Sequence, residues 1–199
     1  MKLLCSVCML AVLSWASAAE LPNLFPNPGF EKWDTANNRP APAKWRWLLP
    51  PAKAPFAAFE LSTAEKHSGN SSMYLKDVDS SAVNHSLGYT FSPAELKKFD
   101  GKILTFSAWV KQAKASQANS VGIAVWTVDA ETGKIKTAEM CIPSTQATDW
   151  TLLKQKIRLP KKIKHLHLYF RCAQGWGRTG EAWFDDVVVT VENEDAAEK

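Results

Sequence analysis

Residues 151–159, with the sequence TLLKQKIRL, alternate between two kinds of side chain. In an extended chain, successive side chains point to opposite faces. One face therefore carries Lys154, Lys156 and Arg158, and the other carries Leu153, Gln155, Ile157 and Leu159. A period of two with one mostly apolar face predicts a half-buried β-strand.

Similar short runs, rich in β-branched and aromatic residues, recur on both sides of this segment. Residues 129–134 join two of them through a loop with Gly133 near its end, as in a hairpin between antiparallel strands. Residues 92–95, SPAE, predict one short helical turn, because Ser is a good N-cap and Glu at the third position completes a capping box. Regularly spaced strands predict an all-β sandwich or barrel, and they lie at residues 73–76, 88–91, 103–111, 121–129, 134–142, 150–159, 165–171 and 182–191.

The first 18 residues have the form of a secretory signal peptide. Lys2 is followed by an apolar run and then by the small-residue pattern Ala16-Ser17-Ala18. The predicted organisation is a signal at 1–18, one domain at 19–191 and an acidic, disordered tail at 192–199. We therefore expect an exported protein, periplasmic or extracellular.

Composition excludes several classes of protein. Hydrophobic residues make up 46% of the 199-residue chain, which is too apolar for intrinsic disorder. The net charge of +4 is too small to indicate a nucleic-acid partner, and no run after the signal is long enough to insert into a membrane. The unusual feature is nine Trp residues, because the indole N–H needs a partner when it is buried.

Four segments carry a family resemblance: residues 23–31 (NLFPNPGFE), 67–75 (HSGNSSMYL), 103–111 (ILTFSAWVK) and 182–189 (AWFDDVVV). In this order they resemble the carbohydrate-binding module superfamily typified by families 4, 9, 16 and 22. The resemblance covers nearly the whole chain after the signal. It implies an antiparallel β-sandwich of the galactose-binding-like jelly-roll type that binds a polysaccharide or oligosaccharide without catalysis.

The same resemblance implies a structural calcium ion that ties the first strand to the last. The matching positions are Gly29, Glu31, Asn70, Asp185 and Asp186. Ca²⁺ takes about six to eight oxygen ligands, mixing carboxylates and carbonyls, although His67 in the same loop is a poor ligand for it. The alternative is that Glu31 and Asp185 pair with basic residues or accept hydrogen bonds at a strand end.

Candidate sugar contacts come from the Trp residues, because the C–H faces of sugars lie flat on indole rings. Trp176 lies in a glycine-flanked loop near polar side chains, and Trp45 and Trp47 share one side of an extended segment. Trp109 and Trp126 lie in strands, where a groove and a core position are equally open. The candidate contacts are Trp176, Arg178, Arg171, Gln174, Trp45, Trp47, Trp109 and Trp126.

Cys141 and Cys172 lie in strand-like runs, where a disulfide bond and two buried free thiols are both open. A basic stretch from Lys154 to His165 is a second candidate surface, for sulfated glycans, against the alternative of a solvated strand face.

No nucleophile, metalloprotease or nucleotide-binding motif is present, so we expect no catalysis. The alternative function is a protein-binding β-sandwich domain in a surface assembly, and the sequence predicts no oligomeric state.

Overall fold

The computed structural model describes residues 21–36, 39–41, 45–47, 57–78, 86–173 and 178–192. Within these ranges the chain forms twelve strands and one short helix. The elements are β1 (Trp33–Asp34), β2 (Arg39–Pro40), β3 (Trp45–Trp47), β4 (Ala57–Ser62), β5 (Ser72–Asp77), β6 (Ser86–Thr90), α1 (Pro93–Leu96), β7 (Ile103–Ala115), β8 (Gly122–Asp129), β9 (Ile135–Cys141), β10 (Thr151–Arg158), β11 (Ile163–Arg171) and β12 (Gly180–Glu192).

The strands form two five-stranded sheets. The first sheet has the order β10-β7-β12-β5-β4, and the second has the order β3-β6-β11-β8-β9. Every pairing in both sheets is antiparallel, and a two-stranded ribbon, β1-β2, lies outside them. The predicted all-β sandwich with antiparallel sheets is confirmed.

Strand β10 shows why the period of two decides the fold. Leu153 and Ile157 are buried in the core cluster, whereas Lys154 and Lys156 on the opposite face are exposed. Burying one such aliphatic side chain stabilises the fold by about 1.5–3 kcal/mol. The alternation therefore sets which face of β10 packs on the second sheet.

The predicted helical turn is also present. In α1 the Ser92 N–H donates to Glu95 Oε2 at 2.6 Å, as the capping box requires. Pro93 occupies the first turn, where its missing N–H removes no helical hydrogen bond. The turn directs Leu96 into the core.

An aromatic cluster joins the N-terminal segment to the second sheet. Phe25 packs edge-on against Tyr89 at a centroid distance of 5.2 Å and against Trp45 at 6.0 Å. Trp45 is only 7% exposed and also contacts Phe30 and Phe170. The prediction that Trp45 is an exposed sugar contact is therefore wrong. The Trp45 ring faces the core because Trp45 pairs with Tyr89, whose ring is itself buried.

Cys141 and Cys172 are free thiols, so the choice between a disulfide bond and two free thiols is decided against the disulfide. Cys141 pairs with Gly122 on β8, and Gly122 pairs in turn with Arg171 on β11. Cys172 follows Arg171 and lies in the core cluster. Two strand spacings amount to about 9–10 Å, beyond the Cα separation that a disulfide allows. Burial raises the pKa of both thiols.

The predicted signal at 1–18 and residues 193–199 of the predicted tail lie outside the described residues. Glu192, the first residue of that tail, ends β12 and forms an ion pair with Lys156 at 2.6 Å. In the part of the chain that the structure describes, no helix has the length and apolar character needed to cross a membrane.

Candidate functional site

The outer face of the second sheet carries a group of aromatic and charged side chains. On β11, Leu166, Leu168 and Phe170 belong to the core cluster. Because strand side chains alternate, the outer face of β11 carries His165, His167, Tyr169 and Arg171. Trp126 on β8 pairs with His167 and joins this face from the neighbouring strand.

The rings on this face form a contiguous patch. Trp126 stacks on His167 at a centroid distance of 5.3 Å with an interplanar angle of 27°. His167 contacts Tyr169 at 5.6 Å, and its Nδ1 lies 3.0 Å from Thr90 Oγ1. These contacts hold the half-buried indole of Trp126 in a fixed orientation on the sheet.

Tyr169 lies against β6 because residue 88 is glycine. A Cβ atom at Gly88 would lie 2.4 Å from Tyr169 Cε1, well inside van der Waals contact. The absence of a side chain at Gly88 lets the phenol ring rest on the strand backbone. Tyr169 is only 1% exposed, so it forms the floor of the patch rather than its rim.

A charged pair completes the site. Arg171 Nη1 lies 3.0 Å from Glu139 Oε1, and the Arg171 side chain is only 11% exposed. Together with Trp126, Thr137 and Tyr169, the pair lines a hollow of about 160 Å³, which we call the Trp126 hollow. It combines an aromatic face, several guanidinium donors and a carboxylate acceptor within one small space.

The predicted sugar contacts fall in different places. Trp126 and Arg171 are brought together in the Trp126 hollow. Arg178 Nε instead donates to Gln117 Oε1 at 3.1 Å. Residues Gln174 and Trp176, and the side chain of Trp47, lie outside the described part of the structure.

Sequence reasoning missed Tyr169, Glu139 and Thr137 as members of the site. Tyr169 shares a strand face with Arg171, so the period of two could have identified it once Arg171 was a candidate. Glu139 reaches Arg171 only across β8, and this neighbourhood depends on the order of strands β9, β8 and β11.

Trp109 lies on the outer face of the other sheet. Its ring stacks on His67 at 4.0 Å with an interplanar angle of 14°. His67 also meets Trp150 edge-on at 5.7 Å. Trp109 and Trp126 therefore do not share a binding surface.

The predicted calcium positions meet at the loop of residues 67–71. Glu31 Oε1 accepts backbone hydrogen bonds from Asn70 at 2.7 Å and from Ser71 at 3.2 Å. Asp185 Oδ2 accepts from His67 at 2.8 Å and from Ser68 at 3.1 Å. The loop therefore connects Glu31, next to the N-terminal segment, to the last strand. These contacts correspond to the alternative in which the two carboxylates accept hydrogen bonds at a strand end.

Both carboxylates also lie near Gly29. A Cβ atom there would lie 3.6 Å from Asp185 Oδ1 and 3.7 Å from Glu31 Oε1. These are hard oxygen donors of the kind that Ca²⁺ prefers. Among the described residues no group of three acidic, His or Cys side chains is close enough to hold a metal, so an ion at this place would need carbonyl oxygens as its remaining ligands.

The pKa shifts of the two carboxyls have opposite directions. Hydrogen bonds from the loop, led by the Asn70 N–H, lower the pKa of Glu31. Asp185 is fully buried, and its desolvation raises the pKa of its carboxyl despite the hydrogen bonds from Ser68 and His67. A cation bound beside Asp185 would offset this desolvation by stabilising the charged form of the carboxyl.

A bulge in β12 places Asp186 at the same loop. The pairing with β7 shifts register between Asp185 and Val188, and Asp186 has a positive φ of 46°. Both oxygens of Asp186 are engaged, because Ser68 Oγ donates to Oδ1 at 2.7 Å and His67 Nδ1 lies 2.6 Å from Oδ2. Asp186 thus fastens the loop from a second side.

Comparison with known proteins finds matches to this chain among solved structures but none among protein-family models or curated proteins. No protein-family model matches this chain, and no curated protein matches it either. Ninety chains among the solved structures do match it, and the three described below are 13–18% identical to it.

Several of the matching structures are described as xylan-binding domains of carbohydrate-binding module family 22. The family 22 module CBM22-1 of Paenibacillus barcinonensis Xyn10C is 13% identical with a TM-score of 0.57, covering 88% of this chain and 97% of that one. A xylan-binding domain described as CBM 22 is 15% identical with a TM-score of 0.55, covering 83% and 97%.

A third match is the CBM22-1-GH10 portion of Clostridium thermocellum endo-1,4-beta-D-xylanase 10B, complexed with xylohexaose, at 18% identity and a TM-score of 0.52. It covers 75% of this chain, which spans only 26% of the length of that larger structure. At these identities the likeness concerns the fold. The chain therefore has the β-sandwich jelly-roll fold of the family 22 carbohydrate-binding modules.

Proposed function

We propose that this protein is an exported, non-catalytic carbohydrate-binding module that binds a neutral glycan at the Trp126 hollow. The observation that carries the proposal is the position of the half-buried Trp126 beside the Arg171–Glu139 ion pair. Export is supported by the signal-like sequence at 1–18.

The side chains of the hollow suit the two surfaces of a sugar ring. An indole offers an apolar face to the sugar C–H groups, and it is already held in place by His167. The Arg171 guanidinium donates hydrogen bonds and the Glu139 carboxylate accepts them, so both match hydroxyl groups. Because these two charges compensate each other, the hollow favours an uncharged saccharide.

The related folds suggest which saccharide to examine first. Two of the matching structures are described as xylan-binding domains, and a third was solved with xylohexaose. That this chain also binds xylan is part of the proposal. Trp176 and Gln174 follow Arg171 closely in sequence, and with Trp47 they remain proposed additional contacts.

Absence of catalysis is a further part of the proposal. Hydrolysis of a glycosidic bond ordinarily uses two carboxyl groups placed on either side of that bond. Among the described residues that line the hollow, Glu139 is the single carboxylate, and it is paired with Arg171. This arrangement supports binding rather than cleavage.

We also propose that Glu31 and Asp185, with carbonyl oxygens around Gly29 and Asn70, hold a structural calcium ion. When bound, the ion supplies a cross-link between the N-terminal segment and β12. Asp186, whose two oxygens contact His67 and Ser68, remains a predicted further ligand.

A glycan array tests the function as a whole. The folded protein, with calcium present, is applied to xylan, other plant glycans, mucin glycans and sulfated glycans. We expect retention on neutral plant polysaccharides, led by xylan. A flat response across the whole array contradicts the proposal and favours the alternative of a protein-binding domain.

A further inference from the structure

The outer face of the first sheet contains a larger groove, which is separate from the Trp126 hollow. It has a volume of about 810 Å³, within the range of small-molecule sites. We call it the lysine groove, and its lining includes Ser107, Trp109, Lys154, Lys156, Val188 and Thr190.

The floor of the lysine groove consists of small side chains from β7 and β12. Ser107 pairs with Val188, and Thr105 pairs with Thr190, so two cross-strand rows lie side by side. Small residues in these rows leave space above the sheet, and three of the four carry hydroxyl groups. The floor is therefore open and able to form hydrogen bonds.

Two walls enclose this floor. Strand β10 forms the first wall, because Lys154 pairs with Ser107 and Lys156 pairs with Thr105. Residues 21–23 form the second wall, and two hydrogen bonds fix this segment to β12. Asn23 Nδ2 donates to Val187 O at 2.8 Å, and Val189 N donates to Asn23 Oδ1 at 2.9 Å. The groove thus has a defined width.

An aromatic ring and an ion pair mark the ends of the groove. Trp109 lines it while stacking on His67, which fixes the indole in place. At the other end, Lys156 pairs with Glu192 at 2.6 Å. Leu152 pairs with Trp109 in the adjoining row and is 46% exposed, so it adds apolar surface next to the indole.

The charge of the groove is positive at its centre. Glu192 forms an ion pair with Lys156, and its charge also acts on Lys154, which has no ion pair of its own among the residues that the structure describes. Two lysines and one carboxylate leave one net positive charge. Lys154 faces the hydroxyl-lined floor between the ion pair and Trp109. An ammonium group in that position matches an anionic group on a ligand that also stacks on Trp109.

We propose that the lysine groove binds an anionic oligosaccharide, with a carboxylate- or sulfate-bearing sugar at Lys154 and a neighbouring ring on Trp109. The groove lies on a different sheet from the Trp126 hollow, so this site is independent of the proposed neutral-glycan site. One chain would then hold two saccharides of different charge on its two outer faces.

Calorimetric titration of the full chain tests this site with three probes: tetragalacturonate, a sulfated heparin tetrasaccharide and neutral xylohexaose. We expect the wild type to bind at least one anionic probe. Lys154→Gln should weaken that binding about tenfold, because a charged hydrogen bond is lost. Wild-type affinity should also fall on raising the salt concentration. The two anionic probes distinguish a uronate from a sulfate ligand.

Three variants separate a built site from general attraction to a basic protein. Lys161→Gln removes an exposed charge outside the groove and should leave anionic binding within about twofold of wild type. Trp126→Ala should also leave it unchanged. Trp109→Ala should weaken it, with circular dichroism confirming that the variant is folded.

Failure to bind either anionic probe overturns the proposal. An equal loss for Lys161→Gln and Lys154→Gln also overturns it, since the attraction would then be diffuse. A loss of anionic binding in Trp126→Ala would assign the ligand to the other sheet. Xylohexaose binding reports on the Trp126 hollow in the same experiment, so the proposals for the two sites can be rejected independently.

Discussion

Arg171 and Glu139 form an ion pair at 3.0 Å across β8, directly beside Trp126. The guanidinium is almost enclosed, whereas the carboxylate is about one-third exposed. A donor and an acceptor are therefore fixed at the edge of an aromatic face, and this arrangement underlies the proposed recognition of sugar hydroxyls.

Replacing Arg171 with Lys should weaken binding of xylohexaose about tenfold, because lysine keeps the charge but loses the planar fork of donors. The measurement is calorimetric titration. Lys164→Gln is a matched control, since it removes an exposed charge on the same strand outside the Trp126 hollow. Equal affinities for Arg171→Lys and wild type would remove Arg171 from the site.

Replacing Gly88 with Ala should displace the Tyr169 ring, since the new Cβ atom would lie 2.4 Å from Tyr169 Cε1. Overpacking of this kind costs about 1–3 kcal/mol in the free energy of unfolding. Urea denaturation measures the loss. Gly133→Asn is the control, because Gly133 has no neighbour within 4 Å and Asn tolerates its positive φ. A Gly88→Ala variant as stable as wild type would show that Tyr169 is not held by this contact.

Glu31→Gln should destabilise the protein at neutral pH, and the difference should disappear in acid. The folded state lowers the pKa of Glu31 through hydrogen bonds from Asn70 and Ser71. Its contribution is therefore complete above the ordinary carboxyl pKa and is lost as the pH falls through the folded value. Urea denaturation with a chelator present, at a series of pH values, measures this difference. A difference that persists unchanged in acid would show that the charge of Glu31 is not responsible.

Calcium should raise the melting temperature relative to a chelator, because an ion bound only by the folded state stabilises it. At a concentration 100 times its Kd, the gain is about 2.7 kcal/mol. Differential scanning calorimetry measures the shift. Glu31→Gln should reduce it, while Glu65→Gln, outside the proposed ligand set, should leave it intact. An unchanged melting temperature of the wild type would show that no structural calcium ion is bound.

The sandwich was predictable from sequence because its signal is local. The alternation in β10 and the capping box of α1 each depend on a few neighbouring residues, and both appear as predicted. Trp45 shows where this reasoning ends. Alternation assigns Trp45 and Trp47 to one side of β3, but only the pairing of Trp45 with Tyr89 decides that its own ring faces the core.

The Trp126 hollow was predictable only in part. Trp126 and Arg171 were candidates because of their residue types, but their meeting depends on the pairing of β8 with β11. Glu139 could not be found from the sequence, since two strand pairings separate it from Arg171. The resemblance already placed Asp185 and Asp186 in one ligand set, but the bulge that brings both carboxylates to one loop follows from the pairing of β12 with β7.

Calorimetric titration of xylohexaose into wild type, Trp126→Ala and Trp109→Ala tests the central claim most directly. Loss of an aromatic stacking platform should weaken binding by Trp126→Ala at least about tenfold. Trp109→Ala, which removes the same side chain type from the other sheet, should bind within about twofold of wild type. Wild-type affinity in a folded Trp126→Ala variant, or an equal loss in Trp109→Ala, would contradict the assignment of the neutral-glycan site to the Trp126 hollow.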